Sequence, residues 1–468
     1  MSRKVKIVAT LGPATDNSNK ITQLIKAGVN VFRLNFSYGT HESHYASFKR
    51  IRACAQKLDK DIAIMQDICG PKIRIKGMVG TREVKKGDLL VMATEAGDGA
   101  FTISYPEIIG QLNIGDEVFF ADGIVKARIT DKKPDRLIMK VLTHGMLREG
   151  KGVNIPKSGV KMSALTDKDK DDLRFAAQIG IDIVAVSFVE TRDDIIEAKE
   201  ILQENHSDAW VIAKIERKAA IKNLDNILTV VDGLMVARGD LGVEAGLYAL
   251  PELQKEIIRK ANEKALPVIT ATQMLTSMLH APTPTRAEIS DIANAVYDGT
   301  DAVMLSDETA VGEYAVEAVK VMTRTLLSTE KSYPYHKVYK DIKEEAFANA
   351  AAWLSQFVKC KAIASITTTS TTVRQISKFR PKKTIYAITF DERLKQKMAL
   401  VWGVEKTFTI QTNVSGSNLI YQFLQQVGTK DEYIITGGSK TGIKGTTNRV
   451  RLVDRTEIDK IYRRFGEE

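Results

Sequence analysis

The sequence predicts an α/β protein: a (β/α)8 barrel, an all-β lid inserted into it, and a C-terminal open α/β domain. Three observations carry that prediction. Eight short apolar runs alternate with amphipathic helical patterns. About a hundred residues between the third and fourth runs have strand-like alternation and no long helical period. A second series of short strands follows Ser332. At 468 residues the chain is too long for a single ordinary core, so several domains are expected.

The elements follow in order. A strand at Val5–Ala9 precedes a helix at Asn19–Ala27, and strands Val31–Asn35 and Ile62–Asp67 flank a helix at His41–Lys57. The alternation resumes with helix Asp167–Gly180, strand Ile183–Ser187 and helix Arg192–Glu204. Strands Trp210–Ile215 and Gly233–Ala237 come next, then helix Leu250–Ala265 and strand Val268–Thr270. Helix Arg286–Tyr297, strand Ala302–Leu305 and helix Val316–Leu327 complete the barrel count. The strands' C-terminal ends should face the active site.

Between Asp67 and Asp167, runs such as Leu89–Met92, Glu117–Phe120 and Arg136–Met139 are divided by glycine-containing turns. They predict a β-barrel-like lid on the catalytic side, because loops after barrel strands point there. Beyond Ser332, a helix at Ile342–Phe357 leads into strands Ala362–Thr367, Thr384–Thr389, Lys406–Ile410 and Glu432–Thr436. The expected bounds are 1–71 and 159–335 for the barrel, 72–158 for the lid and 336–468 for the C-terminal domain.

Composition narrows the function classes. Hydrophobic content of 44% and charged content of 27% are those of a globular protein. The net charge of +10 is spread along the chain, without a basic helix or RNA-binding motif, so nucleic acid is not an expected partner. No apolar stretch suits a bilayer span and no signal-peptide pattern opens the chain, so no membrane association is expected. Cys54, Cys69 and Cys360 are scattered, which predicts reduced thiols and a cytoplasmic address.

The chemistry concentrates at two strand tips, Lys214-Ile215-Glu216 and Ala237-Arg238-Gly239-Asp240. Lys214 and Glu216 are two residues apart and so share a face of their strand. Glu216 and Asp240, on adjacent strands, can converge on one hard cation, since Mg2+ accepts one or two carboxylates plus substrate oxygens. A buried salt bridge to Lys214 or Arg238 is the other reading. The Arg238-Gly239 step offers backbone N–H groups to a small carboxylate. His41 and His44 are read either as a metal-touching pair or as a surface pair at a helix start.

An ordered series of motifs then resembles the pyruvate kinase family across barrel, lid and C-terminal domain. It runs from Lys6–Thr15 through Arg33-Leu34-Asn35-Phe36-Ser37, Asp67, Gly70-Pro71 and Arg74 to Lys151-Gly152-Val153-Asn154. Lys214-Ile215-Glu216, Arg238–Gly242, Ala271–Leu275, Pro284–Glu288 and Ser306–Ala310 follow. The resemblance implies phosphoryl transfer from phosphoenolpyruvate to ADP, a Mg2+ or Mn2+ cofactor and a homotetramer.

By that resemblance, Lys214 neutralises the phosphoryl group in flight and Arg33 holds its oxygens, although Arg33 also reads as an ion-pair partner of Asp67. Thr272 and Ser306 would organise a water relay for protonating the enolate. Ala237, Arg238, Gly239, Thr272 and Arg74 would bind the substrate; Pro13, Asn35, Arg74 and Lys151 would contact the nucleotide; Glu216 and Asp240 would hold the metal. Two other readings are open: a different barrel enzyme acting on phosphoenolpyruvate or pyruvate, and a metabolite sensor.

Potassium-requiring members have Asp-Thr-Lys-Gly-Pro-Glu where this chain has Asp67-Ile68-Cys69-Gly70-Pro71-Lys72. Ile68 removes a hydroxyl from a potassium site formed by Asn35, Ser37, Asp67 and residue 68, and Lys72 brings a tethered ammonium. Activity without K+ is therefore expected. Tyr38 and Asp307 are further departures. In the C-terminal domain, Thr367-Thr368-Thr369-Ser370-Thr371-Thr372 lies between a strand and a helix. It reads either as a site for a phosphorylated effector or as a capping turn. The Gly437-Gly438-Ser439-Lys440 loop lacks the arginine and tryptophan that some members use.

Overall fold

The computed structural model describes residues 2–121, 123–155, 163–340, 342–411, 416–438 and 447–465. Its centre is a closed barrel of eight parallel strands. These are β1 (Lys6–Thr10), β2 (Val31–Asn35), β3 (Ala63–Asp67), β4 (Ile183–Val186), β5 (Trp210–Ile215), β6 (Gly233–Ala237), β7 (Val268–Ala271) and β8 (Ala302–Leu305). β8 closes on β1 with Lys6 opposite Ala302. Most strand residues are buried on both faces, which is why the strands read as unbroken apolar runs. The chain folds as a TIM barrel.

Helix starts are set by local chemistry. Thr166 and Asp169 form a reciprocal capping box at the head of helix Asp167–Ile179. Gly180 ends that helix in the left-handed region at φ 75°, so the expected helix to Gly180 stops one residue earlier. Helix Arg238–Ala245 follows β6 directly, and short helices Lys218–Lys222 and Leu224–Ile227 follow β5. The sequence pattern did not reveal these three. Arg238, Gly239 and Asp240 are thus the first turn of a helix rather than an extension of the strand tip. Two glycines in its eight residues and a weak apolar stripe hide it from periodicity.

The insertion after β3 contains a five-stranded antiparallel sheet in the order Val153–Asn154, Glu117–Phe120, Val125–Lys132, Arg136–Val141, Leu89–Ala93, with two small strand pairs beside it. Leu90, Met92, Val118, Phe120, Leu137 and Met139 are buried in its own core. The expected boundary at 158/159 lies outside the described residues.

The C-terminal sheet has five strands in the order Val404–Thr409, Thr384–Thr389, Ala362–Ile366, Tyr433–Gly438, Thr447–Val453. The last is antiparallel, and its polar, largely unburied sequence gave no strand signal. This domain packs on the barrel end opposite the strand tips. Arg380 reaches Asp301 at 2.7 Å and the Gly299 carbonyl at 2.7 Å, and the Gly403 N–H donates to the Lys4 carbonyl at 3.0 Å.

Candidate active site

Lys214, near the end of β5, is the centre of the site. Its ammonium lies 3.0 Å from Glu216 Oε1 and 3.1 Å from Asp67 Oδ1, and donates to Ser187 Oγ at 2.6 Å. Burial pulls its pKa down, but Asp67 and Glu216 outweigh burial and hold it above the ordinary lysine value. Asp67 is buried too; burial raises its pKa, yet Arg33 and Lys214 carry it below the usual carboxylate value. Arg33 Nε donates to Asp67 Oδ2 at 2.6 Å, so the ion-pair reading of Arg33 is present in the structure.

Glu216, just past β5, accepts the Phe188 N–H at 2.7 Å through Oε2. Its pKa is raised, by burial first; Lys214 opposes and Asp240 adds to it. The salt bridge between Glu216 and Lys214 therefore exists beside the approach of the second carboxylate. Asp240 sits in the first turn of helix Arg238–Ala245, and its Oδ1 lies 3.3 Å from Lys72 Nζ.

Arg238 does not point its guanidinium at open space. Nη1 pairs with Asp291 at 2.7 Å, Nη2 donates to the Thr272 carbonyl at 2.5 Å, and Nε lies 3.2 Å from the Ala271 carbonyl. This holds Thr272 and Gln273 at φ 71° and 55°, a left-handed conformation costly for a β-branched residue. Thr272 Oγ1 in turn accepts the Gly239 N–H at 2.9 Å, leaving its own hydroxyl proton to be given elsewhere. Ser306, after β8, has a buried Oγ with no hydrogen-bond partner, while its N–H donates to Glu308 Oε2 at 2.7 Å.

Lys214, Glu216, Asp67 and Arg33 thus form one contact network; Ala237, Arg238, Gly239 and Thr272 form a second. Lys72 joins Asp240, and no hydrogen bond or ion pair connects it to Asn35, Ser37 or Asp67 among the described residues. Asn35 Oδ1 instead accepts the Ser37 N–H at 3.1 Å. Gly70, between Asp67 and Lys72, adopts φ 65°, and a Cβ there would meet Phe188 at 2.9 Å, so the chain can leave β3 for the lid only through glycine. Pro13 is exposed in the turn after β1. Arg74 Nη1 donates to the Gly150 carbonyl at 3.0 Å, and the Ile75 N–H binds the Lys151 carbonyl at 2.9 Å, so both belong to the lid edge.

Three contributors escaped the sequence reading. Ser187 bridges Lys214 and the Ile68 carbonyl, the latter at 2.6 Å. Asp291 anchors Arg238, and Glu308 ties Ser306 to the Leu275 N–H at 3.0 Å. Their partners are distant in sequence, so no local spacing announces them.

Elsewhere, His41 Nε2 lies 2.8 Å from Asp172 and His44 stacks on Phe36, so each has a local partner. Ser370 caps the helix Thr371–Lys378 by position, at φ 72°, but makes no side-chain cap bond, and its Oγ is buried without a partner. Thr367 is buried, Thr369 and Thr371 hydroxyls lie 3.0 Å apart, and Thr372 Oγ1 is 2.7 Å from Thr447 Oγ1. Ser439 and Lys440 lie outside the described residues. Among the described residues no helix is long and apolar enough to cross a membrane, and Cys54, Cys69 and Cys360 are unpaired.

Comparison with known proteins agrees with this geometry. The family model "Pyruvate kinase, barrel domain" matches residues 2–319 and "Pyruvate kinase, alpha/beta domain" matches residues 345–453. A pyruvate kinase of Staphylococcus epidermidis is 41% identical over 96% of this chain and 80% of its own length. One from Sporosarcina psychrophila is 40% identical with the same coverage. The crystal structure of a Cryptosporidium parvum pyruvate kinase superposes with a TM-score of 0.89 at 34% identity, covering 96% of each chain. Barrel, lid, C-terminal sheet and strand-tip residues converge on one conclusion: the chain belongs to the pyruvate kinase family.

Proposed function

We propose that this chain transfers the phosphoryl group of phosphoenolpyruvate to ADP, giving pyruvate and ATP, with Mg2+ or Mn2+ and without a K+ requirement. The observation that carries the reading is the buried, charged Lys214 held between Asp67 and Glu216 at the strand tips.

The donor set suits a hard divalent cation. Glu216 and Asp240 are carboxylates close enough that Asp240 raises the Glu216 pKa, a repulsion that a cation between them would relieve. Among the described residues no cluster of three or more His, Cys, Asp or Glu could hold a metal, so substrate oxygens and water would fill most positions. Bound there, the ion would neutralise charge on the phosphoryl oxygens.

The chain's own residues do the rest. Lys214 offers a fixed positive charge to the phosphoryl group as it leaves the enolate oxygen, the kind of stabilisation that dominates phosphoryl transfer. Arg33, oriented by Asp67, holds the phosphoryl oxygens on the other side. The substrate carboxylate sits at the start of helix Arg238–Ala245, against the backbone of Ala237, Arg238 and Gly239 and the Thr272 hydroxyl. Thr272 and the unpartnered Ser306 hydroxyl direct water for protonation of the enolate carbon. Pro13, Asn35, Arg74 and Lys151 are assigned to the nucleotide.

Lys72, joined to Asp240, supplies a permanent cation where other members use K+. The Thr367–Thr372 loop is assigned to a phosphorylated effector, a reading supported by the orphaned Ser370 hydroxyl. Domain units at 1–71 with 159–335, 72–158 and 336–468, a homotetramer and a cytoplasmic address complete the proposal.

The test is pyruvate release from phosphoenolpyruvate and ADP with Mg2+, in K+-containing and K+-free buffer. Equal rates support the whole reading. Activity only with K+ removes the role given to Lys72, and no activity in either buffer overturns the function.

A further inference from the structure

Lys6 opens β1 at the barrel end that meets the C-terminal domain. It is 4% exposed, and its ammonium donates to the Val404 carbonyl across the domain junction. Among the described residues no carboxylate lies within ion-pair distance of it. It lines a cavity of about 440 Å3 between the barrel base and strand Val404–Thr409.

The charges around that cavity are unbalanced. Arg3 faces it from the amino-terminal segment, Lys26 from helix Ser18–Ala27, Lys60 from the loop before β3 and Lys406 from the C-terminal strand. The nearby carboxylates are already engaged. Asp61 accepts the Thr407 N–H at 3.1 Å, Glu405 accepts the Thr384 hydroxyl at 2.9 Å, and Glu330 accepts the Lys4 and Val5 N–H groups at 2.9 and 2.8 Å. Lys4 itself donates to Thr384 at 2.8 Å. Arg3 uses Nη1 on Thr323 and Nη2 on Gly28 and Asn30, while its Nε is buried with no partner.

On the lining of this pocket Asp61 and Glu405 are outnumbered by Arg3, Lys6, Lys26, Lys60 and Lys406, so it disfavours a further cation and favours an added anion. Burial first, then Arg3 and Lys4, push Lys6 down to about 7 against the opposing pull of Glu330 and Glu405. At neutral pH its amine is therefore uncharged far more often than an ordinary lysine's. A neutral amine is a nucleophile, and CO2, small and uncharged, reaches a buried amine without bringing a charge out of water.

We propose that Lys6 is a modification site that takes CO2 as a carbamate in the cavity between barrel and C-terminal domain. The Nζ lone pair forms the N–C bond, one C=O π pair moves onto oxygen, and Nζ releases one proton to solvent. The products are a lysine carbamate and H+, with no oxidant or reductant required. The remaining N–H still donates to the Val404 carbonyl, and the new carboxylate supplies the acceptor that Arg3 Nε lacks. Modification places a negative charge at the junction between β1 and the C-terminal domain.

The test uses the full chain in buffer with 13C-labelled CO2 and bicarbonate at neutral pH. Triethyloxonium then esterifies any carbamate, and peptide mass spectrometry locates the label. The expected result is an ethoxycarbonyl group on Lys6 at least about tenfold above that on exposed Lys86. Lys6→Arg abolishes it, and Arg3→Gln, which keeps the amine, lowers it several-fold. Absence of label on Lys6, equal label on Lys86, or unchanged label in Arg3→Gln would overturn the proposal.

Discussion

Lys214 Nζ stands between Glu216 Oε1 and Asp67 Oδ1, at 3.0 and 3.1 Å, so one ammonium faces two buried carboxylates. Asp240 approaches Glu216 from the first turn of helix Arg238–Ala245, and the repulsion between the two carboxylates readies the site for a cation. Glu216→Gln is expected to weaken Mn2+ binding by tenfold or more, about 1.4 kcal/mol. Titration of the protein with Mn2+ by electron paramagnetic resonance checks this; unchanged affinity would remove Glu216 from the metal site.

Asp291 is not itself a candidate substrate contact, yet it pairs with the arginine that grips the Thr272 carbonyl. Removing it frees Arg238 and lets Thr272 leave its left-handed conformation. Asp291→Ala is expected to lower kcat/KM by about tenfold or more, because a small misplacement of a positioned hydroxyl is costly. Asp291→Glu should recover part of the loss. Steady-state kinetics of both variants decide the matter.

Lys72 has its ammonium 3.3 Å from Asp240, in place of an acidic side chain in potassium-requiring relatives. Lys72→Glu is expected to make activity K+-dependent, with rates in K+-free buffer falling well below those with K+. A variant whose rate ignores K+ would count against the assignment.

Glu244 lies on the helix that carries Asp240. Burial, with Glu190 and Asp240 adding and Arg217 opposing, raises it from 4.5 to about 7. The folded chain then holds a proton that the unfolded chain releases, so this group's contribution to stability is full below pH 4.5 and declines as pH rises to about 7. Glu244→Gln should therefore raise Tm relative to the parent at pH 8. Partial exposure screens the effect to about 1 kcal/mol. Thermal unfolding at pH 4.5 and pH 8 should show the gap only at the higher pH.

The barrel was legible because a strand buried on both faces must be apolar throughout, and residues such as Ile183–Val186 and Gly233–Ala237 can do little else. The pairing of Lys214 with Glu216 was legible too, since period-two geometry places i and i+2 together. What stayed hidden depended on contacts between distant segments. Ser187, Asp291 and Glu308 matter through partners on other loops. Helix Arg238–Ala245 is short and glycine-rich, and Thr447–Val453 pairs as a polar edge strand without an apolar face. Lys72 was legible as a candidate substitute cation, but its pairing with Asp240 is a matter of how the chain leaves β3 through Gly70.

The most direct measurement compares pyruvate formation by the parent chain and by Lys214→Met, with phosphoenolpyruvate, ADP and Mg2+, after circular dichroism has established that both are folded. The expected result is robust turnover by the parent and a loss on the order of a thousandfold or more in the variant. Near-parental kcat in a folded Lys214→Met protein would contradict the account.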